Sequence, residues 1–349
     1  MKALSLVRIE RDRLVSHNAH VPVLVPAVSS VVQAPFPVVA HSPWPKPVRV
    51  FDMWDPFVSA PELTLRMSYL LESPVSKVAV AGDVIAAGSD DGVVTVLSCD
   101  ADAQAQLRVE TRLAGHTSFV AGLCPFGDGW LSSSGSGEVI YHNPTIQWRR
   151  RLHSACVWSL DVEGSYLVTG SQDGLCRIFD LCVLKSRLIL RGHSDSVNVA
   201  LWGGNGNCVA TGSGDKSVCL YDVRAHRDPQ KTFTHTHSVN ALCWVSTHTF
   251  ASGDMDGLIQ IFDTRADKPT TAISMGTGNC VNAVSATPFG LAVACGDGNL
   301  YSIANQPVHL QQTAIVSPNG ETLDCKWHNG TIVASDTESR VSVFTGNLV

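Results

Sequence analysis

The chain lacks any C-x-x-C pair among its eleven cysteines. Thiols scattered singly, in an odd number, exclude a zinc ribbon and a disulfide framework and fit a reducing compartment, the cytoplasm or nucleus. Several of them, such as Cys219, Cys243 and Cys295, stand in apolar runs where a thiol behaves as a small hydrophobe. An unbroken apolar run of spanning length is missing too. The stretch 21–40 is interrupted by Pro22, Pro26, Pro35 and Pro37, which argues against membrane insertion. The opening "MKALSLVRIERDRLV" is a poor secretory signal, because charged residues follow a short apolar run. Charge is sparse: 16% of residues are charged and the formal net charge is −6, so RNA or DNA is not a favoured partner. The dense basic run, Arg149 to Arg151, reads as a solvated strand face. G-x-S-x-G, H-E-x-x-H and dinucleotide fingerprints are absent.

Hydrophobic residues make up 44% of the 349 residues, enough for a well-cored domain or two. Nine of the seventeen prolines fall within the first 61 residues, so 1–61 is expected to be an extended proline-rich arm or linker. Beyond it the sequence repeats. "GSDDGVVTVLS" (88–98) returns as "GSQDGLCRIFD" (170–180), "GSGDKSVCLYD" (212–222) and "GDMDGLIQIFD" (253–263). Eroded copies are "CGDGNLYSI" (295–303), "SGSGEVIYHN" (134–143) and "ASDTESRVSVF" (334–344). Upstream of each copy an apolar residue opens an alternating run: Val75, Val120, Val157, Val197, Val239, Val281 and Leu323. Seven recurrences about forty residues apart, each with short β-rich runs between Gly, Asp, Asn or Pro turns, predict an all-β propeller of seven four-stranded blades.

These copies resemble the WD-repeat family over about residues 62–349. The family's Gly-His pair is matched by Gly115-His116 and Gly192-His193, and its Trp-Asp ending by Phe179-Asp180, Tyr221-Asp222 and Phe262-Asp263. The resemblance implies that a strand at about 62–70 pairs as the outer strand of the last blade and closes the ring. It also implies that His153/Thr169/Asp173, His193/Thr211/Asp215 and His235/Ser252/Asp256 are structural struts. Out of context a Ser/His/Asp set suggests a hydrolase, but a nucleophile is needed once and a strut in every blade. Blade 2 keeps His116 with Ser136 in the aspartate column. Blades 1, 6 and 7 carry Leu71, Thr277 and Asn319 in the histidine column, and should be looser or bonded differently.

"DMDG" fails as a calcium loop, since glycine falls at position 4 and Arg265 at position 12. "GSGDKS" fails as a phosphate loop because Asp215 precedes Lys216 and would repel phosphate. No catalytic residue, cofactor, metal or small-molecule substrate is therefore expected. Proteins or peptides are the expected partners, met on the rim that bears the loops before each first strand. Phe119 and Trp158 are candidate aromatic anchors there. Asn198, Asn240 and Asn282 could ring the channel mouth, with Asp90, Gln172 and Met255 at the turns. On the other rim, Asp222-Val-Arg224 and Asp263-Thr-Arg265 resemble the Asp-x-Arg extension of substrate receptors of cullin–RING ubiquitin ligases. The expected function is a non-enzymatic scaffold subunit; the alternatives are such a receptor, or a subunit of a ribonucleoprotein complex.

Overall fold

A computed structural model describes residues 63–99, 106–145, 147–203, 206–225, 227–304 and 309–346. The arm expected at 1–61 lies outside the described residues. Within them, 28 strands form seven four-stranded antiparallel sheets. Blades 1 to 6 occupy 75–114, 120–151, 157–190, 197–234, 239–274 and 281–315. Blade 7 takes three strands from 322–346, and Leu63–Leu70 pairs with Arg340–Gly346 as its outer strand. The first strand of each blade packs on the first strand of the next, and Thr322–His328 returns to Val75–Ala81.

The repeat exists because a single sheet cannot bury both faces. Seven apolar clusters fill the seven interfaces between neighbouring blades. The valines opening the first strands, Val75, Val120, Val157, Val197, Val239 and Val281, are fully buried, each worth about 1.5–3 kcal/mol of apolar transfer. Four of them, Val120, Val197, Val239 and Val281, press on glycines of the preceding blade. A Cβ at Gly253 would meet Val281 at 2.3 Å, and one at Gly212 would meet Val239 at 2.7 Å. In blade 7 the opening position is Thr322 rather than Leu323. Thr322 pairs with Asp336 and is fully buried, while Leu323 occupies the bulge that follows.

That bulge recurs. In all seven blades the register slips directly after the opening residue. One extra residue in a strand re-aims its side chain. The bulged residues are Ser76, Ala121, Trp158, Asn198, Asn240, Asn282 and Leu323.

Candidate functional site

The pre-strand loops and the turns after second strands meet on one rim, tied by backbone hydrogen bonds. Asp90 donates to Pro74, Gln172 to Cys156 and Met255 to Ser238. Beneath these ties lie the histidine sets. In blade 3, His153 Nδ1 faces the Asp173 carboxylate at 3.0 Å and Nε2 faces Thr169 Oγ1 at 2.8 Å. A neutral ring satisfies both, donating from Nδ1 and accepting at Nε2. Asp173 also accepts from the Ser154 and Leu175 backbone, so one carboxylate fastens the loop to the turn. Burial lowers the His153 pKa against the pull of Asp173. Blade 4 repeats the geometry, with His193 at 2.9 Å from Asp215 and 2.7 Å from Thr211. There burial is outweighed by Cys219 and Asp215, which raise the His193 pKa.

Blade 5 differs from the expected set. His235 Nε2 meets Ser252 Oγ at 2.7 Å, but Nδ1 meets Asp254, at 3.3 Å, and not Asp256. Blades 3 and 4 end their second strands on a serine, Ser171 or Ser213, whose hydroxyl accepts from the turn aspartate's N–H. Blade 5 ends on Asp254. Its fully buried carboxylate takes the serine's bond from Asp256 N–H, the bond from Leu258 N–H, and the histidine as well. Asp256 is left at the surface, accepting from Gly278 N–H and lying 3.7 Å from His237.

Blade 2 contains a residue the sequence reading missed. His116 Nε2 lies 2.7 Å from Ser132 Oγ, and the same hydroxyl lies 2.8 Å from His142 Nε2. Ser136 does not reach His116; its hydroxyl bonds Ser134 and Glu138. Ser132 sits where Thr169 and Thr211 sit, and His142 stands in the column of Phe179, Tyr221 and Phe262. Aligning "YHN" with "IFD" would have found it. Burial and Arg149, with the second ring acting on His142, hold both imidazoles down to about 4, and both Nδ1 atoms are buried without a partner among the described residues.

In blade 6, Asn279 rather than Thr277 holds the turn, exchanging two bonds with Asp297, which also accepts from Tyr301. Asn319 of blade 7 reaches Glu338, at 3.5 Å. Leu71 of blade 1 is buried, and its N–H donates to Ser339 of blade 7.

The bulge side chains converge on the channel mouth. Asn198 Nδ2 donates to the Val239 carbonyl and to Asn240 Oδ1, at 3.1 and 3.2 Å. Asn240 Nδ2 reaches Cys280 Sγ, and Asn282 Nδ2 donates to the Thr322 carbonyl at 3.0 Å. Ser76 donates to the Val120 carbonyl in the same manner. These side chains latch each blade to the next, so much of the carboxamide ring is spent within the propeller. Trp158 makes no such latch; its ring lies 5.8 Å from that of Phe119, and both are half-buried. Trp158 and the three asparagines line one cavity of about 80 Å³. Asp90, Gln172 and Met255 stand exposed further out on the same rim.

Arg224 and Arg265 occupy the opposite rim, on adjacent blades. Each folds back onto its own aspartate, Nε and Nη2 of Arg224 at 3.0 and 2.7 Å from Asp222, and of Arg265 at 2.9 and 2.6 Å from Asp263. The guanidinium holds the Asp222 carboxyl down to about 2. Of the basic run, Arg149 donates to the Gly115 carbonyl and Arg151 to that of His153. Among the described residues no group of three or more His, Cys, Asp or Glu could hold a metal ion, and no helix is long and apolar enough to cross a membrane.

The model of the WD domain, G-beta repeat, matches residues 147–180, 184–222 and 227–263. The E3 ubiquitin-protein ligase COP1 of Pisum sativum is 29% identical over 150 residues, 41% of this chain and 22% of that protein. The U3 small nucleolar RNA-associated protein 15 homolog of Xenopus laevis is 28% identical over 137 residues, 38% of this chain and 26% of that protein. The chain thus spans about a quarter of the length of these relatives. The WD40 beta propeller domain of Doa1 superposes with a TM-score of 0.73 at 20% identity, covering 82% of this chain and 97% of that one, a likeness of fold.

Proposed function

This chain is a WD-repeat β-propeller, and from that premise we propose that it is a non-enzymatic scaffold subunit that holds other proteins in an intracellular assembly. The observation that carries the reading is the Phe119–Trp158 pair, half-buried beside the channel mouth. Other blades fill the Trp158 position with serine, alanine, leucine or asparagine, so the blade itself does not require an aromatic ring there. Half-buried aromatics in a polar rim are the usual anchors of protein recognition. The histidine sets favour the non-enzymatic side of the reading. They recur in three blades, their rings are buried, and their hydroxyls are fully covered. Affinity purification with amine-reactive crosslinking mass spectrometry on the full chain tests it. Partner crosslinks are expected at Lys77, which shares a cavity with Trp158, and at Lys216, on a turn of the same rim; links confined to the opposite rim would overturn the assignment of the binding face.

A second reading, a substrate receptor of a cullin–RING ligase, is favoured by the matched Asp222/Arg224 and Asp263/Arg265 forks and by similarity to a ubiquitin-protein ligase. Copurification of a cullin adaptor, lost on the double change Arg224→Ala/Arg265→Ala, would establish it. A ribonucleoprotein role rests on Arg149–Arg151 and on the RNA-associated relative, and requires RNA crosslinks centred on those arginines.

A further inference from the structure

The chemistry of the channel mouth goes further than its place in the fold. We infer that it is a subsite for a carboxylate, an Asp or Glu side chain on an acidic segment of the partner; this rests on the scaffold reading above.

Each side-chain acceptor lining the cavity already takes at least one bond, Ser159 Oγ from Ala200 N–H at 2.8 Å among them. Asn198 Oδ1 accepts from Ser196 Oγ at 2.8 Å, and Asn240 Oδ1 from Asn198 Nδ2 and Ser238 Oγ, both at 3.2 Å. Asn282 Oδ1 accepts from Cys280 Sγ at 3.2 Å. The Asp324 carboxylate accepts from Val78 N–H and Cys325 N–H, at 3.1 and 2.9 Å, and lies 3.8 Å from the Lys326 ammonium. Donors, by contrast, are left over. The half-buried Lys77 ammonium, in the same cavity, has no hydrogen-bond or ion-pair partner among the described residues. The Trp158 indole N–H has none either, and Asn240 and Asn282 each use a single acceptor for two amide hydrogens.

A lining with spare donors, one of them a charged group with no partner among the described residues, and with acceptors that are each already bonded, complements a group that only accepts. An ionised carboxylate is such a group, with about four lone-pair sites. Its bonds to Lys77 are charge-assisted, roughly twice as strong as those between neutral groups. A lysine or arginine on the partner would bring further donors to a mouth with few free acceptors, and would repel Lys77. A phosphate is acceptor-only too, but its greater charge is matched by guanidinium forks, and among the described residues the mouth holds one cation, Lys77, outside an ion pair. The aromatic pair then covers the residue next to the acid.

The test uses the immobilised full chain and peptide libraries with random flanks and a fixed centre of Glu, Gln, Lys or phosphoserine. Wild type, Lys77→Ala, Lys77→Glu and Trp158→Ala are compared, each first shown to melt like wild type. Glu-centred peptides are expected to bind about tenfold or more better than Gln-centred ones, the worth of one charged hydrogen bond. Lys77→Ala should erase the preference, and Lys77→Glu should turn it towards Lys. Binding that Trp158→Ala abolishes but that ignores the central residue, or a Glu preference surviving Lys77→Glu, would overturn the carboxylate subsite and leave the scaffold reading standing. Preference for phosphoserine over Glu would overturn it in favour of phosphate. Absence of any Trp158-dependent binding would remove both the subsite and the channel-mouth reading.

Discussion

His235 is held by Asp254, 3.3 Å from its Nδ1, and not by the turn aspartate Asp256 two residues later. Removing Asp254 strips a buried carboxylate from the histidine and from two backbone N–H groups at once. Asp254→Ala is therefore expected to cost about 2–4 kcal/mol in urea unfolding. Asp256→Ala, at the surface, should cost less than about 0.5 kcal/mol. Equal costs would mean that the carboxylates share the histidine.

The His116–Ser132–His142 chain predicts acid sensitivity. Both rings titrate near 4 in the folded state because burial disfavours their charge, against 6.5 when exposed. Between those values the unfolded chain binds more protons, so stability rises with pH across that window and is lost as pH falls from about 6.5 towards 4. Each ring contributes a slope of up to about 1.4 kcal/mol per pH unit. His142→Phe, which installs the residue blade 3 carries at that position, should lower the slope measured by urea unfolding between pH 6.5 and 5. An unchanged slope would show that His142 does not stay neutral.

Blade spacing rests on Gly253 meeting Val281. A Cβ at Gly253 would lie 2.3 Å from Val281 Cγ1, so Gly253→Ala should destabilise by about 1–3 kcal/mol through overpacking. Val281→Ala removes the colliding methyls. The pair should therefore be less destabilised than the sum of the single changes, by about 1 kcal/mol or more in a double-mutant cycle. Strict additivity would contradict the contact.

Ring closure depends on Leu63–Leu70, which pairs with Arg340–Gly346 and buries Leu63 and Met67. Deleting residues 63–70 exposes that strand's edge and should broaden the thermal transition as well as lower it. A calorimetric transition as sharp as wild type would show that the ring closes without this strand.

Much of this was legible in the sequence, for particular reasons. Val75, Val120, Val157, Val197, Val239 and Val281 recur because six of the seven interfaces bury a methyl pair at one height, and a period shows in a string of letters. The His153 and His193 struts were legible because the turn after each second strand holds a single carboxylate, Asp173 or Asp215. Blade 5 offers two, and burial, which a sequence does not record, decides between Asp254 and Asp256. His142 was not legible because the exchange lies in the aromatic column, where another ring fills the same place, and not in the aspartate column. The latching of Asn198, Asn240 and Asn282 escaped because the bulge that aims them is a matter of register, not of residue type.

The most direct test of the scaffold reading is quantitative affinity purification of the wild-type chain beside Trp158→Ala, both confirmed to unfold at the same temperature. Loss of the principal partners from Trp158→Ala, with Arg224→Ala/Arg265→Ala retaining them, is the expected result. Partners retained in full by Trp158→Ala would contradict binding at the channel mouth.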